Sequence, residues 1–270
     1  MKPQSSVNPL LIYACVFVFV IYAPSVLMVI FSFNNNIYTT FPLKGFTLNW
    51  YDQMIHQGPL LAALWNSVKV GIVVSIVSTI IALLASMSLT RYRFPGKSAI
   101  TVSSLIPLVI PYIILGISLL QFIRQVLDWK LSLWTIGAGH VLIAVPFSML
   151  VLMSRLEGFD KNLEEASRDL GEDGWHTFWR VTFPLAWPGI VASMMMAFTT
   201  SFDEYMISAF LSGNDTTLPI YIYSQLRFPQ KLPATLALGA AILVFSFFFV
   251  VIAQMLRRRG VQGSAAGSAF

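Results

Sequence analysis

Six stretches of this chain are each long and apolar enough to cross a lipid bilayer: about 9–33, 61–90, 99–123, 133–153, 186–211 and 234–256. A transmembrane helix needs about 20 mostly apolar residues. In hydrocarbon the backbone has no water to bond to, so a spanning segment of this kind must be helical. The sequence therefore predicts an all-α polytopic membrane protein with six transmembrane helices. Composition agrees: 56% of the 270 residues are hydrophobic and 11% are charged, whereas soluble domains carry about 25% charged residues. With 17 basic and 12 acidic side chains, a soluble domain this apolar could not cover its surface. An ordinary cytosolic enzyme, a disordered chain and a collagen-like chain are all excluded. The first run is too long for a signal-peptide core and lacks a convincing cleavage site, so a retained anchor is expected.

Lysine and arginine set the expected orientation. Lys2, the 91–98 loop, the 154–185 loop and Arg257, Arg258 and Arg259 place eleven basic residues on one side. Lys44, Arg124, Lys130, Arg227 and Lys231 place five on the other, and Lys69 lies inside the second run. Basic residues are retained in cytoplasmic loops, so both termini are expected in the cytoplasm, which demands an even number of spans. The net charge of +5 is accounted for by this asymmetry, and no nucleic-acid partner is expected. The one cysteine, Cys15, excludes an intrachain disulfide, and His56, His140 and His176 are too scattered to suggest a metal site. Gly96-Lys97-Ser98 mimics the end of a phosphate-binding loop, but position 91, where the first glycine of that loop should stand, is Arg91. The tail, 257–270, is basic and then small and polar.

The 154–185 loop holds seven of the twelve acids: Glu157, Asp160, Glu164, Glu165, Asp169, Glu172 and Asp173. Leu163, Ala166 and Leu170 recur at helical spacing, and Trp175, Phe178 and Trp179 form a second cluster. Gly171 and Gly174 fall between them, where a tight turn needs permissive dihedrals. The segment is expected to be a helical hairpin. A helix lying on the bilayer normally carries a basic polar face, and this one is acidic. The residues alone leave open a protein-docking element, an interfacial helix and a plain connector.

The spacing of the loop resembles the EAA motif of the membrane subunits of bacterial ABC importers. That motif runs E-A-A, three residues, G, nine residues, then I-x-L-P; here Glu165-Ala166-Ser167 is followed by three residues, Gly171, nine residues, and Val181-Thr182-Phe183-Pro184. Ser167, Val181 and Phe183 are conservative departures from the pattern. The segments GFTLNWY, RYRFPGK, SRLEGFD and LPIYIYS are similar to those of spermidine/putrescine permeases, so the resemblance runs to about residue 256. It implies a type I importer permease fold, with a coupling hairpin between spans four and five. It further implies that Glu164, Glu165, Ala166, Ser167, Leu170, Gly171, Val181, Phe183 and Pro184 couple the subunit to an ATPase. Within this set, Gly171 would fix the hairpin angle, Ala166 and Ser167 would permit close approach, and Glu165 would pair with the ATPase or cap the turn. The implied partners are an ATP-binding-cassette ATPase dimer that holds the ATP and Mg, a second six-span permease, and a periplasmic or lipid-anchored solute-binding protein. No cofactor and no enzymatic activity are expected in this chain. Polyamines are the implied solutes; opines, phosphonates, amino-acid-like solutes and metal chelates are alternatives within the family, and a non-transporting scaffold is an alternative outside it.

Asp203, Glu204 and Tyr205 stand in the fifth run, where charge is costly and usually functional. Counted from about residue 186 at 1.5 Å per residue, Asp203 lies about 25 Å along the helix, toward the outer side. One or both carboxylates are expected to line the pathway and attract a cation; a salt bridge or helix-end hydrogen bond is the structural alternative. Adjacent residues of a helix diverge by about 100°, so the two should not face the same way. Pro24, Pro107, Pro111 and Pro146 are candidate kinks, and Lys69 is expected to snorkel to the interface.

Overall fold

A computed structural model describes residues 9–248. Five helical runs are long and apolar enough to cross a membrane: Pro9–Ser32, Gly58–Arg91, Leu133–Glu157, Gly174–Phe202 and Pro229–Phe248. A bent pair, Lys97–Leu108 with Tyr112–Val126, makes a sixth when counted as one span. The last part of the expected sixth span (249–256), the tail and Lys2 lie outside the described residues. The described residues divide into two compact units: Pro59–Tyr221, and the flanking segments up to Gly58 and from Ile222.

In the flanking unit, α1 (Pro9–Ser32) is apolar all round and largely exposed. A helix of that kind needs lipid or another subunit around it. The loop after α1 folds back on buried Asn34, whose Oδ1 accepts from Lys44 N at 3.0 Å and whose carbonyl accepts from Trp50 Nε1 at 2.8 Å. Tyr51, on α2 (Asn49–His56), shares a 2.7 Å hydrogen bond with Ser32 at the end of α1. Gly239, in the last helix, lets Met28 of α1 approach, since a Cβ there would stand 2.9 Å from its sulfur.

The central unit is built on three helices: α3 (Gly58–Arg91), α6 (Leu133–Glu157) and α9 (Phe183–Phe202). α3 has 34 residues, about 50 Å, longer than the roughly 30 Å hydrocarbon layer. Its buried face carries Ser67, Ser75, Ser78, Thr79 and Ser86. Lipid offers no hydrophobic drive between helices, so small and hydroxyl residues make the close contacts: Thr79 bonds Ser193 of α9 at 3.2 Å, and Ser86 donates to the Met149 carbonyl of α6 at 3.3 Å. One apolar cluster gathers Val70, Val74, Leu115, Ile136, Ile143 and Ala197; a second gathers Ala82, Leu89, Met149, Leu152, Ala186 and Ile190. Lys69 lies over the Trp65 ring, 5.6 Å from its centroid.

Two expectations need correction. The third run is not one helix. α4 (Lys97–Leu105) tightens into a 3₁₀ turn at Ile106–Leu108, and α5 (Tyr112–Gln121) sets off at 97° to it. Pro107 and Pro111 bracket the bend; neither can donate a helical N–H, and Pro111 takes an extended ψ of 129°. The fifth run is broken as well. α9 ends at Phe202, and a short α10 (Met206–Leu211) follows after a turn at Asp203–Tyr205. At its other end the run starts earlier than expected. α7 (Asn162–Asp169) leads through the hairpin to α8 (Gly174–Thr177), which joins α9 through a π turn at Phe178–Thr182. The second arm of the hairpin and α9 are therefore one continuous helical run, Gly174–Phe202.

Candidate functional site

The hairpin turn is built by hydrogen bonds that its glycine permits. Glu172 N donates to the Ser167 carbonyl at 3.2 Å and Gly171 N to the Arg168 carbonyl at 2.9 Å, which is the Schellman closure of a helix. Gly171 carries the closure with a φ of +92°, a region that costs residues with a Cβ. The second arm starts on Asp173. Its Oδ1 accepts from His176 N and pairs with His176 Nδ1, both at 2.8 Å. These bonds, the backbone one foremost, hold the Asp173 carboxyl below its ordinary range. Glu172 pairs with Arg180 across the turn.

The inner side of the hairpin is bolted to the ends of α3 and α6. Glu164, only 7% exposed, takes Arg91 Nε at 2.9 Å and the Thr182 hydroxyl at 2.8 Å. Arg91 also donates to the Leu156 carbonyl at 3.1 Å and stacks over Phe159, 4.5 Å from the ring centroid. Lys161 Nζ reaches the Thr90 carbonyl at 3.3 Å. Ser167 is buried against Thr177, with 3.2 Å between the hydroxyls. Glu164 and Ser167 thus face into the subunit and not toward a partner. Arg91, Phe159, Lys161, Thr177 and Thr182 belong to the same constellation. Spacing could not find them, because Arg91 and Glu164 are 73 residues apart.

The outer side is bare. Leu170 is 87% exposed, Trp175 66% and Leu163 47%; Glu165 and Ala166 are exposed beside them. Trp175 and Trp179 meet edge to face at 5.7 Å, and Trp179 leans on Phe183 at 4.8 Å. Val181 and Phe183 are half-buried and Pro184 is exposed. An apolar ridge of this kind, flanked by acids and held rigidly from behind, is suited to fill a groove on another protein.

The helix break separates the three candidate pathway residues. Asp203 is exposed, Tyr205 half-buried and Glu204 buried. Glu204 folds back so that its Oε1 accepts from Ile207 N at 3.0 Å, satisfying an otherwise orphaned donor at the start of α10. α10 itself sits on two glycines. A Cβ at Gly116 would stand 2.7 Å from Phe210, and one at Gly139 would stand 2.7 Å from Ile207 and Leu211. Among the described residues no group of His, Cys, Asp and Glu is placed to hold a metal ion.

Helices long and apolar enough to cross a membrane, joined to a hairpin with a bare apolar side, define the class: a multi-pass membrane protein. The chain belongs to the family of binding-protein-dependent transport system inner membrane components, the permease subunits of ABC importers; the family pattern matches residues 78–260. It is 33% identical over 248 residues to the spermidine/putrescine transport system permease protein PotC of Haemophilus influenzae, covering 90% of this chain and 95% of that one. It is 30% identical over 260 residues to the putrescine transport system permease protein PotI of Escherichia coli, covering 92% of each. The fold is similar to that of a bacterial ABC transporter involved in import of the acidic polysaccharide alginate, with a TM-score of 0.66, 15% identity, and 96% of this chain and 99% of that chain covered. It is also similar to the MetNI methionine ABC transporter in an inward-facing form, with a TM-score of 0.60, 22% identity, and 74% and 95% covered.

Proposed function

We propose that this permease subunit forms half of a translocation pathway for a small cationic solute, most simply a polyamine, and is driven by an ATPase dimer docked on the 154–185 hairpin. The observation that carries the coupling is the two-sidedness of the hairpin. Glu164 ties it to the end of α3 through Arg91, and Ser167 ties its two arms together through Thr177, while Leu163, Leu170 and Trp175 stay bare. Movement of a groove gripping the bare side would pass along Gly174–Phe202 as one lever. ATP and Mg are held by the ATPase. A second, distinct six-span permease completes the pathway, and a periplasmic or lipid-anchored binding protein delivers the solute. Both termini face the cytoplasm, on the same side as the hairpin. The polyamine assignment is supported by the identity to PotC and PotI and by the exposed Asp203 carboxylate, which would attract a multivalent cation.

The test is co-expression of the tagged chain with the ATPase, permease and binding protein of its own importer, followed by reconstitution. ATP-dependent putrescine or spermidine uptake is the expected result. An assembled, ATP-hydrolysing complex that transports neither amine would reject the solute and leave the importer assignment intact; failure to retain any ATPase would reject the coupling role.

A further inference from the structure

His140 stands about two turns into α6 at 1% exposure, and nothing above gives it a role. Its ring touches both sides of the break in span five. Nδ1 lies 2.8 Å from Ser201 Oγ, in the last turn of α9, and Nε2 lies 2.9 Å from Ser208 Oγ, on α10. Both serines are buried. The direction of these bonds follows from donor counting. Ser208 spends its only proton on the Glu204 carbonyl, at 2.8 Å, so toward the imidazole it can only accept. Nε2 therefore carries the ring proton, and Nδ1 of the neutral ring accepts from Ser201. The result is one directed chain: Ser201 hydroxyl to His140, His140 to Ser208, Ser208 to the Glu204 backbone. It ends on a carbonyl at the break, where a lipid-embedded backbone group must find a partner.

The chain of bonds joins α9 to α10. α10 is seated on α5 and α6 through Gly116 and Gly139, and Thr135 of α6 donates to the Leu211 carbonyl at 2.8 Å. α9 continues unbroken from the hairpin. The Asp203–Tyr205 turn is where that run gives way to α10.

We propose that His140 is a positioning residue of the transport pathway: by tying Ser201 to Ser208 across the break, it fixes the turn that turns Asp203 outward and keeps Glu204 folded onto α10. The proposal rests on reading that turn as part of the cation pathway. Leucine at 140 fills similar space and makes neither bond, whereas glutamine can donate and accept at once.

The experiment uses the assembled importer. In the first arm a single cysteine at the turn (Cys15→Ser, Asp203→Cys) is labelled with a water-soluble maleimide, with His140 intact or changed to Leu or Gln. Loss of the buried bonds is expected to change the labelling rate about tenfold in His140→Leu, with Gln restoring it. In the second arm, with Asp203 intact, putrescine transported per ATP hydrolysed is expected to fall about tenfold in His140→Leu and to fall in Ser208→Ala; the pair together should be no worse than His140→Leu alone, because both act through one chain. A purely structural histidine would lower transport and hydrolysis together and leave their ratio unchanged; that result, or an unchanged labelling rate, overturns the proposal. If His140→Leu does not assemble, Ser208→Ala and His140→Gln carry both arms. An Asp203→Asn importer that transports putrescine normally would reject the cation-pathway reading, and the labelling arm still decides whether His140 sets the turn.

Discussion

Arg91, the last residue of α3, holds the Glu164 carboxylate at 2.9 Å across 73 positions of sequence, and both side chains are about nine-tenths buried. That ion pair makes the hairpin a rigid extension of the bundle. Without it α7 would keep the Glu164–Thr182 and Ser167–Thr177 bonds to the second arm, and Lys161 would reach α3 through the Thr90 carbonyl.

Breaking the pair from one side leaves a buried charge unmatched. Glu164→Ala or Arg91→Ala is expected to destabilise the subunit by about 3–5 kcal/mol, read as a lower thermal midpoint of the purified complex. The Thr182→Ala variant, which removes one neutral donor to a charged acceptor, should cost about 1.5–3 kcal/mol. An Arg91→Ala midpoint equal to wild type would refute the anchoring role.

At Gly171 the space around the Cα is open, with no atom within 4 Å of an added Cβ, so only the +92° φ opposes substitution. Gly171→Ala should cost about 1–2 kcal/mol through backbone strain, and Gly171→Asn less, since asparagine tolerates the left-handed region. The measurement is ATPase retained after mild-detergent purification; the expected order is Gly, then Asn, then Ala.

On the bare side the reverse separation holds. Leu170→Asp and Trp175→Ala change exposed residues, so stability should move by no more than about 0.5 kcal/mol. ATPase recovery should nevertheless fall sharply, because these residues form the ridge. Undiminished recovery from the Leu170→Asp, Trp175→Ala double variant would move the docking site elsewhere.

The two adjacent carboxylates should separate in the same way. Asp203→Asn is expected to lower uptake of the cation with little change in stability. Glu204→Gln keeps a side-chain oxygen that can accept from the Ile207 amide, and should cost no more than about 1 kcal/mol in stability. Thermal midpoints and initial uptake rates on the same reconstituted samples check both. Equal effects of the two variants on both readouts would contradict the division of roles.

Much of this protein is legible along the chain. Twenty-residue apolar runs force helical spans because lipid leaves the backbone no other partner. The hairpin is equally local: a glycine between two amphipathic patterns is a turn signal, and Gly171 closes one. Where the sequence was silent, the deciding interactions were between distant residues. At 99–123 Pro107 and Pro111 mark a kink and the chain bends there, but apolar composition at 186–211 reads as unbroken helix, and the chain breaks at Asp203–Tyr205. Hydropathy counts residues and not their neighbours. Whether a break is tolerated depends on who satisfies the freed backbone groups: here the Glu204 side chain takes the Ile207 N–H, and Ser208, itself bonded to His140, takes the Glu204 carbonyl. The same reason separates Glu164 from Glu165. Both carry the same charge within the same motif, but burial beside Arg91 makes one an anchor, while the other stays exposed.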